Sequence, residues 1–177
     1  ASNTLKVKVT DTAGNDGTVY SQAYTLDTTA PTTTIATAAF SADTAANSTS
    51  NADFNTKTAA QTVSGTLSAN LASGETVYVS LDNGTTWTAA TTTVGQNTWS
   101  LSGVTLTASN TLKVKVTDTA GNDGTVYSQS YTLDSAAPTT TIATVAFSAD
   151  TGGSNSDFNT KTAAQTVSGT LSAVLAS

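Results

Sequence analysis

One stretch of this chain occurs twice. ASNTLKVKVTDTAGNDGTVYSQAYTLD, from Ala1, returns from Ala108 as ASNTLKVKVTDTAGNDGTVYSQSYTLD, a shift of 107 residues. The match runs on through APTTTIATAAFSAD, from Ala30, which comes back from Ala137 with Val145 in place of Ala38. DFNTKTAAQTVSGTLSA, from Asp53, then recurs from Asp157 after a loop three residues shorter. Such a period is too long for a solenoid unit and fits whole domains in tandem. Each repeat must therefore close its own core and join its copy head to tail.

The join falls between a Leu-Asp pair and an Ala-Pro pair. Pro31 and Pro138, the two prolines of the chain, both sit there. Proline fixes φ and donates no ladder hydrogen bond, so it stiffens a linker and ends a strand. Boundaries at these points make residues 1–29 the C-terminal strands of a preceding repeat. Residues 30–136 form one complete repeat, and 137–177 are the N-terminal strands of a following one.

Apolar residues make up 37% of the 177 residues and charged residues 10%. That is lean for a core, but the β-branched residues alternate as strands require rather than scattering as in disorder. Within the complete repeat, Thr32 to Thr37 reads as a first strand and Gln61 to Ser68 as a second. Val77, Val79 and Leu81 alternate with Tyr78 and Ser80 in a third. Asn83-Gly84 makes a two-residue hairpin turn, since both positions accept positive φ. Thr85 to Ala89 then returns with Trp87, and Thr98 to Leu101 carries Trp99. Leu112, Val114 and Val116 point inward while Lys113 and Lys115 point out. Val126 to Leu133 closes the repeat. No segment has helical periodicity. About seven strands in roughly a hundred residues is the pattern of an immunoglobulin-like sandwich, with a small barrel as the alternative. The fold expected is all-β: tandem immunoglobulin-like antiparallel β-sandwiches, one complete domain flanked by two partial ones.

Trp87 and Trp99 read as core mass rather than a sugar platform. Lys113 and Lys115 read as protection for a sheet edge. Chemistry has few other footholds. The chain has no His, Cys or Arg, which removes the commonest bases, thiol nucleophiles and oxyanion clamps. An enzyme is not expected, nor a small-molecule substrate. The net charge of −6 excludes nucleic acid and contact with an anionic membrane. The expected partners are the neighbouring repeats of the same chain.

Of the eleven Asp and one Glu, ten aspartates fall in three clusters that recur with the repeat. DTAGND carries Asp11 and Asp16, and again Asp118, Asn122 and Asp123. The linker carries Asp27 and Asp134. The long first loop carries Asp43 and Asp53, then Asp150 and Asp157. Asp, Asn and Gly cap turns without any metal. In an up-and-down sandwich, however, the connection between the last two strands shares a pole with the entering chain. Asp118, Asn122 and Asp123 should then face Asp27, and Asp43 and Asp53 should lie near Asp134. Carboxylates massed at a joint call for a cation, and calcium takes oxygen ligands in tolerant geometry.

LDTTAPTTTI, the loop FSADTGGSNSDFNT leading to VSGTL, and NTWSLSG followed by VKVTDTAGN resemble bacterial immunoglobulin-like extender repeats. Such repeats occur in giant RTX adhesins and related biofilm proteins, and the resemblance covers nearly the whole chain. It implies a non-catalytic spacer on a bacterial cell surface, exported from a Gram-negative cell by type I secretion. It also implies Ca2+ at the interdomain linkers, stiffening an array that projects distal ligand-binding domains. A carbohydrate- or protein-binding module is the other reading. Ala45-Ala46 stand where the second copy has Gly152-Gly153, so the implied loop site is weaker in the central repeat than the linker site at Asp27.

Overall fold

The computed structural model describes residues 2–44 and 52–175; Ala45 and Ala46 lie outside the described residues. Contacts divide the chain into two compact units, residues 1–135 and 136–177. No helix forms among the described residues.

The first unit begins with a hairpin of β1 (Ser2–Val7) and β2 (Tyr20–Thr25). Then follow β3 (Ile35–Phe40), β4 (Asn55–Thr56), β5 (Ala60–Leu67), β6 (Thr76–Ser80), β7 (Thr88–Ala89) and β8 (Thr91–Thr92). β9 (Thr98–Thr105), β10 (Asn110–Thr117) and β11 (Tyr127–Leu133) complete it. Two sheets result, ordered β3-β5-β9-β8 and β4-β11-β10-β6-β7. Their inner faces share one core, to which Val63, Leu67 and Trp99 come from one sheet and Val77, Val79, Leu112, Val114 and Val116 from the other. This is an immunoglobulin-like sandwich. The sheets stay separate, so the barrel alternative does not hold. Leu112, Val114 and Val116 are fully buried, at roughly 1.5–3 kcal/mol each for such side chains.

The pairing order is not a simple meander: β5 lies beside β9, and β10 lies between β11 and β6. β4 pairs with β11 in parallel, Thr132 opposite Asn55 and Leu133 opposite Thr56, against the all-antiparallel expectation. The first strand starts later than expected, at Ile35, because Thr34 instead exchanges bonds with Ser68 as a connection. Asn83 and Gly84 do take positive φ, 60° and 92°. The hairpin around them is wide, however, since β6 and β7 meet only at Tyr78–Ala89 and Val79–Thr88. The Asp82 carboxylate fills that loop, accepting from Ser80 Oγ, Thr86 N and Thr86 Oγ1. Those bonds, led by the Thr86 amide, hold its pKa down to about 2.

Two side-chain readings are corrected. Trp99 is core, 2% exposed, but Trp87 is only half-buried on the outer face, where the Lys115 ammonium stands 4.4 Å from its ring centre. A loop residue beside an outward lysine cannot reach the core that the strands enclose. Lys113 and Lys115 guard no edge, because β10 is paired on both sides.

The β1–β2 hairpin repeats the register of β10–β11, with Asn3 opposite Tyr24 as Asn110 is opposite Tyr131. No second sheet covers its face, so Leu5 and Val7 are 52% and 53% exposed where Leu112 and Val114 are buried. In the second unit, β12 (Ile142–Phe147) and β13 (Val167–Leu171) pair as β3 and β5 do, with the same bulge after the first residue.

Candidate functional site: the acidic turn, the joint and the first loop

The DTAGND turn closes on itself. Asp118 Oδ1 accepts the backbone N–H of Ala120 (2.9 Å) and of Asn122 (2.8 Å), and its Oδ2 accepts Asn122 Nδ2 (2.9 Å). Asp123 accepts Thr117 Oγ1 at 2.7 Å and Lys115 Nζ at 2.6 Å. Asp11 and Asp16 are held the same way, by Ala13, Asn15, Thr10 and Lys8. Donors that favour the ionised form lower all four pKa values. The Asn122 side chain leads for Asp118, Lys115 for Asp123, Asn15 for Asp11 and Lys8 for Asp16.

The turn also reaches the entering chain. Asn122 Nδ2 donates to the backbone carbonyl of Asp27 at 3.1 Å, across 95 residues of sequence. A methyl at Gly124 would stand 3.1 Å from the carbonyl oxygen of Pro31, so a side chain there would press the linker away. Asp27, Thr29–Thr32, Ala72–Glu75, Asp118 and Thr119 surround one open hollow at this pole. Asp27 Oδ1 caps the N–H of Thr29 at 3.0 Å. The pole argument thus puts Asp118 and Asn122 beside Asp27, while Asp123 turns to Lys115. Sequence reasoning missed Glu75, the chain's one glutamate. The same rule would have found it, because the connection after the second strand shares the entry pole.

At the opposite end the loop meets Asp134 through the backbone. The Asp134 N–H donates to the Thr56 carbonyl at 3.0 Å, and Asp53 Oδ1 caps Asn55 N. Asp43 turns inward, 6% exposed, and its Oδ2 accepts the N–H of Phe54 at 2.9 Å. Phe54 takes a left-handed φ of 59° to offer it. Gln61, also buried, binds the loop together. Its Oε1 accepts Ser41 Oγ and Ala42 N, and its Nε2 donates to the carbonyls of Ala42 and Thr58. In the second unit Asp150, Asp157, Phe158 and Gln165 repeat this arrangement.

Among the described residues no three acidic side chains come close enough to cage a metal ion. An ion at either end would need backbone carbonyls and water to complete its shell.

A sandwich with this strand order and a repeat of this length has a counterpart among known families. The bacterial Ig-like domain matches residues 2–28 and 34–135. The chain belongs to that family. No curated protein matches the chain. The family's domains are structural modules, generally non-catalytic, typical of extracellular and surface-exposed bacterial proteins. The match also spans the partial hairpin, in keeping with its register.

Proposed function

We propose that this bacterial Ig-like array is an extender: a spacer in a large surface adhesin of the RTX kind. It would be exported by type I secretion from a Gram-negative cell and carry distal binding domains outward. Its complete repeat is residues 30–136, between partial repeats at 1–29 and 137–177. The observation that carries the reading is the joint. Asn122 of one repeat holds the Asp27 carbonyl of the preceding one, and Gly124 lets Pro31 seat against it. A spacer gains reach only if its joints resist bending, and a short proline linker bonded to the next domain does so. Eight-residue strands and their loops make each repeat roughly 40 Å long at about 3.3 Å per residue.

Calcium is the proposed stiffener of that joint. Asp27, Glu75 and Asp118 line its hollow with oxygen donors alone, which suits a hard cation. When bound, the ion would neutralise their mutual repulsion. Weak extracellular sites fill at roughly 10⁻⁴–10⁻³ M calcium. The test is small-angle scattering of a multi-repeat array with calcium and with chelator. Extension and stiffening with calcium are expected; identical, equally flexible profiles would sink the calcium mechanism. A sugar-binding module gains little support, since Lys115 already covers one face of Trp87.

A further inference from the structure

We infer that the β1–β2 hairpin is an exchangeable element: it docks on the open face of β12 and β13 of a second copy of this chain and joins copies head to tail. This goes beyond the spacer reading, in which copies need not touch, and it does not depend on calcium.

The complete repeat shows what such a hairpin packs against. Leu112, Val114 and Tyr131 of β10 and β11 share a core with Phe40, Val63 and Leu67 of β3 and β5. Both partners of that contact occur a second time, in the hairpin and in the second unit. Residues 1–27 differ from 108–134 only at Ala23 against Ser130, exposed in both, and β1–β2 keeps the register of β10–β11. β12–β13 keeps the register and the bulge of β3–β5. What each copy lacks is cover. Tyr24 is 51% exposed against 5% for Tyr131, and Val167 is 62% exposed against 0% for Val63. Contiguous apolar surface of this kind marks an interaction site. The twin of each face, inside the complete repeat, identifies the occupant.

The second unit is prepared for that occupant in two ways. In the complete repeat Phe40 meets Phe54 edge-on at 5.0 Å and Tyr131 at 5.4 Å, an aromatic trio. In the second unit Phe147 and Phe158 keep the pair at 5.0 Å, and residues 136–177 contain no tyrosine. Tyr24 of a second copy supplies the third ring. The other feature is an edge. Asn55-Thr56 form β4 with Thr132 and Leu133 alongside in parallel. The same Asn-Thr pair at 159–160 forms no strand in the second unit. Thr25 and Leu26 of a second copy restore that ladder, with a backbone bond equivalent to the one Thr132 donates to Phe54. The contact uses a different patch on each copy, so it propagates as open chains instead of closing on a pair. β6 and β9 have no counterpart in it, so the exchange is weaker than the packing of the complete repeat.

The experiment is sedimentation equilibrium of the whole chain in chelator, from dilute to concentrated solution. The parent should pass from the 17.7 kDa monomer to a series of larger species. Leu5→Glu with Val7→Glu blocks the hairpin face, and Val167→Glu blocks the face that receives it; none of the three lies in the core of the complete repeat. Each blocked variant alone should stay monomeric. Their equimolar mixture should form a dimer and nothing larger, because one open face of each kind remains. Tyr24→Ala should weaken association roughly tenfold or more, as for a buried tyrosine anchor. A check without substitutions uses parent chains mixed half isotope-labelled and half unlabelled, in which the Tyr24 ring should show intermolecular contacts with Phe147 and Phe158. A parent that is monomeric at every concentration, a blocked variant that still self-associates, a mixture that stays monomeric, or the absence of those ring contacts would overturn the inference. The calcium-dependent extension of the joint is unaffected by any of these results.

Discussion

The turn at Asp118–Asp123 and the loop from Asp43 to Thr56 look alike in composition, and the fold uses them in opposite ways. In the turn every carboxylate is met by nearby N–H, hydroxyl or ammonium donors, and the spare amide of Asn122 is turned outward to hold Asp27. In the loop the donors are spent on carbonyls through Gln61, Phe54 is held in a left-handed conformation, and one oxygen of Asp43 is left unmatched. Acidic density therefore marks a place without saying what it does. What decides is whether the local backbone can supply donors to each oxygen.

The sharpest way to break this contrast is Gln61→Leu. The substitution removes the side chain that satisfies Ala42 N and Thr58 O beneath the loop, while the Ala42 carbonyl keeps its bond from Thr56 Oγ1. Stranding these groups should cost about 3 kcal/mol, at roughly 1–3 kcal/mol for each buried group that finds no water. The urea midpoint reads it. A change under about 0.5 kcal/mol would mean the loop is as self-sufficient as the turn, and the contrast would vanish.

Next in size is Asn122→Ala at the joint. It deletes the bonds to Asp118 Oδ2 and to the Asp27 carbonyl, worth about 1 kcal/mol each. Global stability should fall modestly, while amide exchange in residues 27–31 should rise far more than in β10 or β11. Uniform exchange changes would show that the turn serves its own sandwich only.

Acid separates the turns by protonation. Asp118, Asp123 and Asp82 have folded pKa values below the unfolded carboxylate, the last at about 2. A depressed pKa means their bonds contribute fully above about pH 4 and are lost as pH falls through the folded values. Melting temperature should thus drop by a few degrees between pH 5 and pH 2.5. The carboxyl resonance of Asp82 should titrate last of these. A flat Tm over that window would show that the donors do not favour the ionised state.

Most of the sandwich was legible because alternation is a physical requirement of a half-buried strand. Leu112, Val114 and Val116 announced the core face, and the repeat set the boundaries of search. Trp87 misled because a tryptophan in an apparently alternating stretch reads as core, whereas Asp82 widens that hairpin and leaves the ring outside. Lys113 and Lys115 misled because sequence does not reveal which strand ends up central. The pole rule placed Asp118 beside Asp27, and applied further it would have found Glu75. It could not reveal the orphan at Asp43, since that depends on which of two carboxylate oxygens a left-handed Phe54 happens to satisfy.

The smallest expected effect concerns the turn's outward rim. Lys115 pairs with Asp123 and lies over Trp87, so Lys115→Met removes an ion pair and a cation–π contact together while keeping the stem. The Asp123 carboxylate is about half exposed, with relative area 47%, so solvent screens much of the pair. The stacked ammonium is worth about 0.5–1 kcal/mol at an exposed site. A loss of about 0.5–1 kcal/mol is therefore expected, shrinking in high salt, with the Trp87 emission shifting as its neighbour changes. Lys8→Met gives the control, because the hairpin holds the same ion pair to Asp16 and no tryptophan stands there. If both substitutions cost the same, the ring adds nothing and the turn's carboxylates alone set the value. If only Lys115→Met is felt, Trp87 earns its place on the outer face as a clamp on the turn.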